Sequence, residues 1–190
     1  MANWLIVGLG NPGAQYHQTR HNAGFWWLDA LAQQQQLTFR AESKMHGEAC
    51  RYAYDNHTIH LLKPTTFMNH SGRSVSAMAR FYQIPAAQLL VVHDELDLPA
   101  GTVKLKQAGG HGGHNGLRDI ISQLGHRDFL RCRLGIEHPG HSTQVTHHVL
   151  SKPSLSERSS IDGAITQSLH CLPDILNGQL AAAMQWLHSQ

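Results

Sequence analysis

At 190 residues the chain has bulk for one well-buried core and little room for two, and 41% hydrophobic with 15% charged residues is a globular composition rather than a disordered or fibrous one. A formal charge of +2 permits an anionic partner without demanding one, so any nucleic-acid function has to be argued from where the charges sit. Three cysteines at wide spacing (Cys50, Cys132, Cys171) argue against a disulfide framework or zinc knuckle, and the chain shows neither a basic signal-peptide region nor an apolar run near the ~20 residues of a membrane span. The expectation is a soluble, cytoplasmic single domain.

Residues 3–9 form a continuous apolar run that predicts a buried strand, and it ends in the glycine loop GLGNPG. That loop fits the G-x-G-x-x-G dinucleotide fingerprint, but its context does not. A dinucleotide fold starts a helix inside the glycines and closes a second strand with an acidic residue about 20 positions later. Here Pro12 and Gly13 are followed by the polar AQYHQTRHN, and Asp29 lies inside a helical pattern. The loop delivers His21 and Asn22 to the start of that pattern, residues 23–35, in which Phe25, Leu28, Leu31 and Ala32 recur at helical spacing with Thr19 or Asn22 as N-caps.

Two strands are predicted over 44–54 and 58–63, joined by a turn at Asp55-Asn56. A second loop, 63–72, follows, with Ser71 as N-cap of a helix over 73–82 whose apolar stripe is Val75, Met78, Ala79 and Tyr82. Asn69 there reads equally as a turn residue, and Phe67 and Met68 as core. The strand at 88–93 runs into His93-Asp94-Glu95. If it lies parallel to the first strand, Asp94 reaches the same sheet edge as the glycine loop and can orient His21 as a general base, although Asp94 capping a turn before Pro99 stays open.

The strand 102–106 alternates inward Val103 and Leu105 with outward Lys104 and Lys106. GGHGGHNG at 109–116 then opens a helix over 117–124 that Gly125 ends. His111 and His114 lack a third ligand fixed by spacing, so no metal is expected. Arg127 follows, then Arg131 and Arg133 on one face of a strand; with Lys104 and Lys106 they form either a basic surface for phosphates or an ordinary solvated face. A last strand is predicted near 146–150, followed after Pro153 by a capping box at Ser154 and Glu157. One amphipathic helix then runs to Pro173 and another carries Leu180, Met184 and Leu187; residues 154–190 are expected to pack on the core or form a lid.

Taken together, GLGNPGxxYxxTRHNxG at 8–24, PTTFMNxSG at 64–72, HDELDLPxG at 93–101 and GGxGGHNGL at 109–117 resemble bacterial peptidyl-tRNA hydrolase, in the family's order and spacing. The resemblance implies one α/β domain, a twisted mixed sheet with helices on both faces. It implies hydrolysis of the ester between a peptide and the 3′-terminal ribose of its tRNA, with no cofactor and no metal. Carried over by position, His21 is the base, Asp94 its partner, and Asn11 helps distinguish blocked from free aminoacyl-tRNA. Tyr16, Phe67, Met68, Asn69, His114 and Asn115 contact the CCA end or the peptide, while Lys104, Lys106 and Arg133 hold acceptor-stem phosphates. No membrane and no obligate protein partner are implied, and a monomer is the simplest expectation. The chemistry agrees: no G-x-S-x-G elbow and no cysteine in these motifs offers a covalent nucleophile, which leaves water activated by a histidine. Three other classes stay open on sequence: a nicotinamide-dependent oxidoreductase, a metal-dependent hydrolase, and a non-catalytic RNA-binding module.

Overall fold

The computed structural model describes residues 2–190. In chain order it forms β1 (Ala2–Gly8), α1 (Ala23–Gln34), β2 (Arg40–Glu42), β3 (Gly47–Tyr54), β4 (His57–Pro64), α2 (Ser71–Phe81), β5 (Leu89–Glu95), β6 (Val103–Gln107), α3 (Asn115–Leu124), β7 (Leu130–Gly135), α4 (Val145–Val149), α5 (Leu155–His170), α6 (Leu172–Leu176) and α7 (Leu180–His188). Seven strands make one mixed sheet in the order β2-β3-β4-β1-β5-β7-β6. The inner strands β4, β1, β5 and β7 are parallel, β3 and β6 run antiparallel to them, and β2 pairs antiparallel with β3 at the margin.

The unbroken apolar run of β1 follows from its central place, with helices over both faces. Trp4 and Ile6 enter a core shared with α1, α5, α6 and α7, and Leu5 and Val7 enter one shared with α2 and α3. Because β4, β1 and β5 are parallel, the chain leaving each emerges at one edge of the sheet. Asn11 follows β1, Phe67 to Asn69 follow β4, and Asp94 ends β5.

Several local expectations are corrected. The segment expected as a strand near 146–150 is the helix α4: Val145 and Val149 sit one turn apart and face the same cleft, and this packing outweighs the weak strand preference of the β-branched residues. The strand expected from 44 begins at Gly47, because Ser43–Met45 form a 3-10 turn that ends with His46 left-handed at φ 53°; the exposed β2 just before it has no apolar alternation to mark it. Ser71 lies inside α2 rather than capping it, and its hydroxyl donates to the Met68 carbonyl. The helix expected to reach Pro173 ends at His170, with Pro173 in the first turn of α6, where its missing N–H costs nothing. The capping box of Ser154 and Glu157 forms as expected, as does the left-handed Gly125 cap.

Candidate active site

Two glycines bring the site together. A Cβ on Gly24 would lie 2.4 Å from the Leu9 nitrogen and 2.5 Å from the Val92 oxygen, and one on Gly8 would lie 2.2 Å from the Gly24 oxygen. Only bare backbone lets the start of α1 press this closely on the ends of β1 and β5. The glycines of the GLG loop therefore serve strand-to-helix contact, and the 3-10 turn Arg20–Asn22 is carried against the end of β5.

There His21 Nδ1 lies 2.9 Å from Asp94 Oδ2. The other carboxylate oxygen, Oδ1, lies 2.9 Å from His114 Nε2. The His114 tautomer is dictated by its second nitrogen: Nδ1 accepts the backbone N–H of Gly116 and, at longer range, Leu117, capping α3. Its single proton must then sit on Nε2 and donate to Asp94. With one Asp94 oxygen so engaged, His21 Nδ1 donates to the other. His21 Nε2 has no partner among the described residues, and His21 lines the cleft.

The Asp94 side chain is only 2% exposed and that of His21 12%. Burial works against the charged imidazole of His21, but the charge and hydrogen bond of Asp94 outweigh it, and the His21 pKa is raised. Burial alone would also raise Asp94; the histidines His21 and His114 hold it well below the usual carboxylate range. Beneath them His93 is fully buried, donates Nδ1–H to the Asp94 carbonyl and packs edge-on against His114. Burial, then the neighbouring His114, push its pKa down to about 3, so it stays neutral.

His21, Asp94 and His114 are also the one group of described residues clustered closely enough to suggest a metal. Ligation through His114 Nε2 would shift its proton to Nδ1, where two backbone N–H groups already point. A ligating histidine needs an acceptor at its far nitrogen, and this one faces donors. The donor set does not fit a metal ion.

Asn11 is held as tightly. Its backbone N–H donates to Asn22 Oδ1, its carbonyl accepts from Asn22 Nδ2, and its own Oδ1 accepts the Met68 N–H at 2.7 Å. That last bond fixes the amide orientation and leaves Asn11 Nδ2 without a partner among the described residues, on the wall of the cleft.

A model of the family "Peptidyl-tRNA hydrolase" matches residues 5–190. The chain belongs to the peptidyl-tRNA hydrolase family. The peptidyl-tRNA hydrolase of Alcanivorax borkumensis is 55% identical over 185 residues, covering 97% of this chain and 95% of the relative. That of Neisseria meningitidis serogroup C is 52% identical over 186 residues, covering 98% and 97%. The crystal structure of peptidyl-tRNA hydrolase from Acinetobacter baumannii matches with a TM-score of 0.94 at 47% identity, covering 97% of this chain and 93% of that one. The enzyme is thus a hydrolase acting on the ester of peptidyl-tRNA, and the single mixed α/β fold agrees with that of its solved relative.

Around His21 and Asp94 lies an open cleft of about 410 Å³ whose lining brings together Asn11, Tyr16, His21, Phe67, Met68, Asn69, Asp94, His114 and Asn115, the candidate residues named from the sequence. Phe67 is 50% exposed, held at φ 61°, and meets Tyr16 edge to face with ring centres 6.2 Å apart. Met68 is buried, whereas Asn69 is exposed. Asn115 opens α3 and accepts from Arg118. Gly112 and Gly113, both at positive φ with nothing within 4 Å of where a Cβ would lie, leave backbone open on one wall.

Lys104, Lys106 and Arg133 share the sheet face opposite Val103, Leu105, Cys132 and Leu134, the residues that enter the core beneath α5 and α7. Lys104 pairs across from Arg133, which also lies 3.6 Å from Glu95. Arg131 does not join that surface. It is 2% exposed, and its guanidinium donates to the carbonyls of Gly109, Gly110 and Arg127. The reason is topological: β6 ends beside Leu130, whereas Asp94 pairs with Leu134, so the 108–113 loop must cross back over the sheet to deliver His114, and Arg131 pins it down.

Sequence reading missed three contributors to the site. Asn22 stands at the N-cap position of α1 as expected, but its side chain makes no capping bond and locks Asn11. The second wall of the cleft, Val145, Thr146, Val149 and Leu150, was hidden by the strand assignment, though the four-residue spacing of the valines marked a helix face. Arg20 gave no sign of its contacts, which lie more than 120 positions away.

Proposed function

We propose that this peptidyl-tRNA hydrolase cleaves its ester by direct attack of water, with His21 as general base and Asp94 as its orienting partner. His21 Nε2 takes a proton from water as the oxygen attacks the ester carbonyl, and Asp94 stabilises the imidazolium that forms. The same proton then passes to the departing ribose oxygen, giving a free peptide carboxyl group and a tRNA hydroxyl. Asn11 Nδ2 donates to the carbonyl oxygen as charge develops on it, and as a neutral group it offers no attraction to the ammonium of an unblocked aminoacyl ester. His114, with both nitrogens engaged, supports Asp94 rather than touching substrate.

Tyr16, Phe67, Met68, Asn69 and Asn115 receive the CCA end and the first peptide unit, with the exposed Phe67 ring and the half-buried Tyr16 ring available for stacking on base or ribose. Lys104, Lys106 and Arg133 hold acceptor-stem phosphates. The enzyme works in the cytoplasm as a monomer, and its C-terminal helices are part of the packed body; no helix among the described residues is long and apolar enough to cross a membrane. The observation that carries the reading is the 2.9 Å contact between His21 Nδ1 and Asp94, with Nε2 left facing the cleft. The test compares N-blocked and free aminoacyl-tRNA as substrates for the native chain and for His21→Ala. Rapid release from the blocked substrate alone, lost in a variant that still folds and binds tRNA, is expected; full turnover by His21→Ala removes the base.

A further inference from the structure

We propose that Arg20, the residue immediately before the base, is a positioning residue that clamps the α4–α5 wall of the cleft to the turn carrying His21. The inference rests on His21 being the base.

Arg20 is 8% exposed, although nothing in the hydrolysis itself uses it. Its backbone N–H donates to the Ser151 carbonyl at 3.0 Å. Nη1 donates to the carbonyls of His148 and Ser151, at 3.0 and 3.4 Å, and Nη2 reaches both oxygens of Glu157, at 3.3 and 3.1 Å. His148 lies in the last turn of α4, where its carbonyl also accepts the Ser151 N–H at 3.2 Å, and Ser151 lies just beyond the helix; each carbonyl has a second lone pair for the guanidinium. The planar guanidinium fork satisfies them and the carboxylate together, which a lysine ammonium has no geometry to do.

Glu157 is engaged twice. Its Oε1 also accepts the Ser154 N–H in the capping box that starts α5. One carboxylate therefore fixes the start of α5 and, through Arg20, the turn Arg20–Asn22. That turn sets the direction of His21 toward Asp94 and of Asn22 toward Asn11, while α4 supplies Val145, Thr146 and Val149 to the facing wall. Without the guanidinium, the backbone bond from Arg20 to Ser151 still ties the turn to the segment after α4, but the side-chain bonds to His148 and Glu157 are lost and the turn is held less firmly against α4 and α5. A misplacement near 1 Å at a reacting centre lowers rates by about 100-fold.

The test separates positioning from stability. Arg20→Ala is expected to lower kcat on N-blocked aminoacyl-tRNA by about 10- to 100-fold, with KM changing far less, because the phosphate-facing surface is untouched. Arg20→Lys should recover only part of the loss. Glu157→Gln keeps an oxygen for the capping box but removes the charge facing Arg20, and is expected to lower kcat several-fold. Ser154→Ala weakens the same helix start without touching the clamp, so it should lower Tm and leave kcat at the native value. All rates are read well below each variant's Tm. If Arg20→Ala does not fold, Glu157→Gln and Arg20→Lys decide. Native kcat in the folded Arg20 and Glu157 variants, or an equal loss in Ser154→Ala, overturns the clamp. His21→Ala assayed alongside keeps the two readings apart: an inactive His21→Ala with fully active clamp variants sinks only this inference, whereas an active His21→Ala sinks the base.

Discussion

Asp94→Asn is the perturbation whose consequence the geometry specifies most fully. The carboxylate accepts two N–H groups, from His21 and His114, each at 2.9 Å. An asparagine has one oxygen and one NH2, so only one histidine can keep its bond as it stands. His114 cannot turn its proton elsewhere, because Nδ1 faces the amides of α3. The oxygen therefore goes to His114 and the NH2 faces His21, which must accept at Nδ1 and carry its proton on Nε2, where it no longer serves as a base. The imidazolium of the transition state also loses its counter-charge. At ~4 Å between charge centres and an effective dielectric constant near 20, that pair is worth about 4 kcal/mol, or about a thousandfold in rate. We therefore predict a fall in kcat of at least about 1,000-fold. The residual activity should also change its pH dependence. A base must be neutral to act, so native activity falls as pH drops through a His21 pKa that Asp94 has raised. Removing the charge leaves burial, which lowers that pKa, and the acidic limb moves to lower pH. The assay is release of tRNA from N-blocked aminoacyl-tRNA across pH, with folding checked by circular dichroism. A folded Asp94→Asn enzyme with the native rate and an unmoved acidic limb refutes the pairing.

Other consequences are as direct. Replacing Lys104, Lys106 and Arg133 by Ala should weaken substrate binding and flatten the dependence of log K on log salt by roughly one unit for each phosphate no longer neutralised, while kcat at saturation holds; unchanged salt slopes refute phosphate binding there. Arg131→Ala leaves three loop carbonyls without their donor and should destabilise the fold by about 3 kcal/mol, read as a lowered denaturation midpoint, with kcat falling as His114 loosens. Native stability in that variant would mean the crossing loop holds itself. Exhaustive treatment with a chelator, with salt held constant, should leave the rate unchanged, because His114 presents a proton rather than a lone pair to Asp94; complete loss restored by one metal ion would contradict that tautomer.

Much of this molecule is written in local pattern. The apolar run of β1, the stripe of α1 and the capping box of Ser154 and Glu157 each carry their own signal, and all three formed where expected. The site was legible through its motifs together with one topological condition, that β1 and β5 be parallel, which the sheet meets. What stayed hidden depends on partners distant in the chain. Arg131 and Arg133 alternate identically in sequence, yet one is buried under a crossing loop and the other faces outward, because the route of that loop is a tertiary fact. The bonds of His114, which caps α3 through one ring nitrogen and meets Asp94 through the other, could not be read from its glycine-rich motif. The Val-Thr-His-His-Val segment carried strand formers as well as valines at helical spacing, and packing both valines into the cleft wall decides for α4.

The central claim is that a neutral His21, protonated at Nδ1 by its bond to Asp94, presents a bare Nε2 to the water that attacks the ester. Nitrogen-15 NMR of the histidine rings, titrated alongside kcat, measures this directly. His21 is expected to carry its proton on Nδ1 above its transition, with a midpoint above the ordinary 6.5 that coincides with the acidic limb of kcat. A proton on Nε2, or a His21 midpoint well separated from that limb, would contradict it.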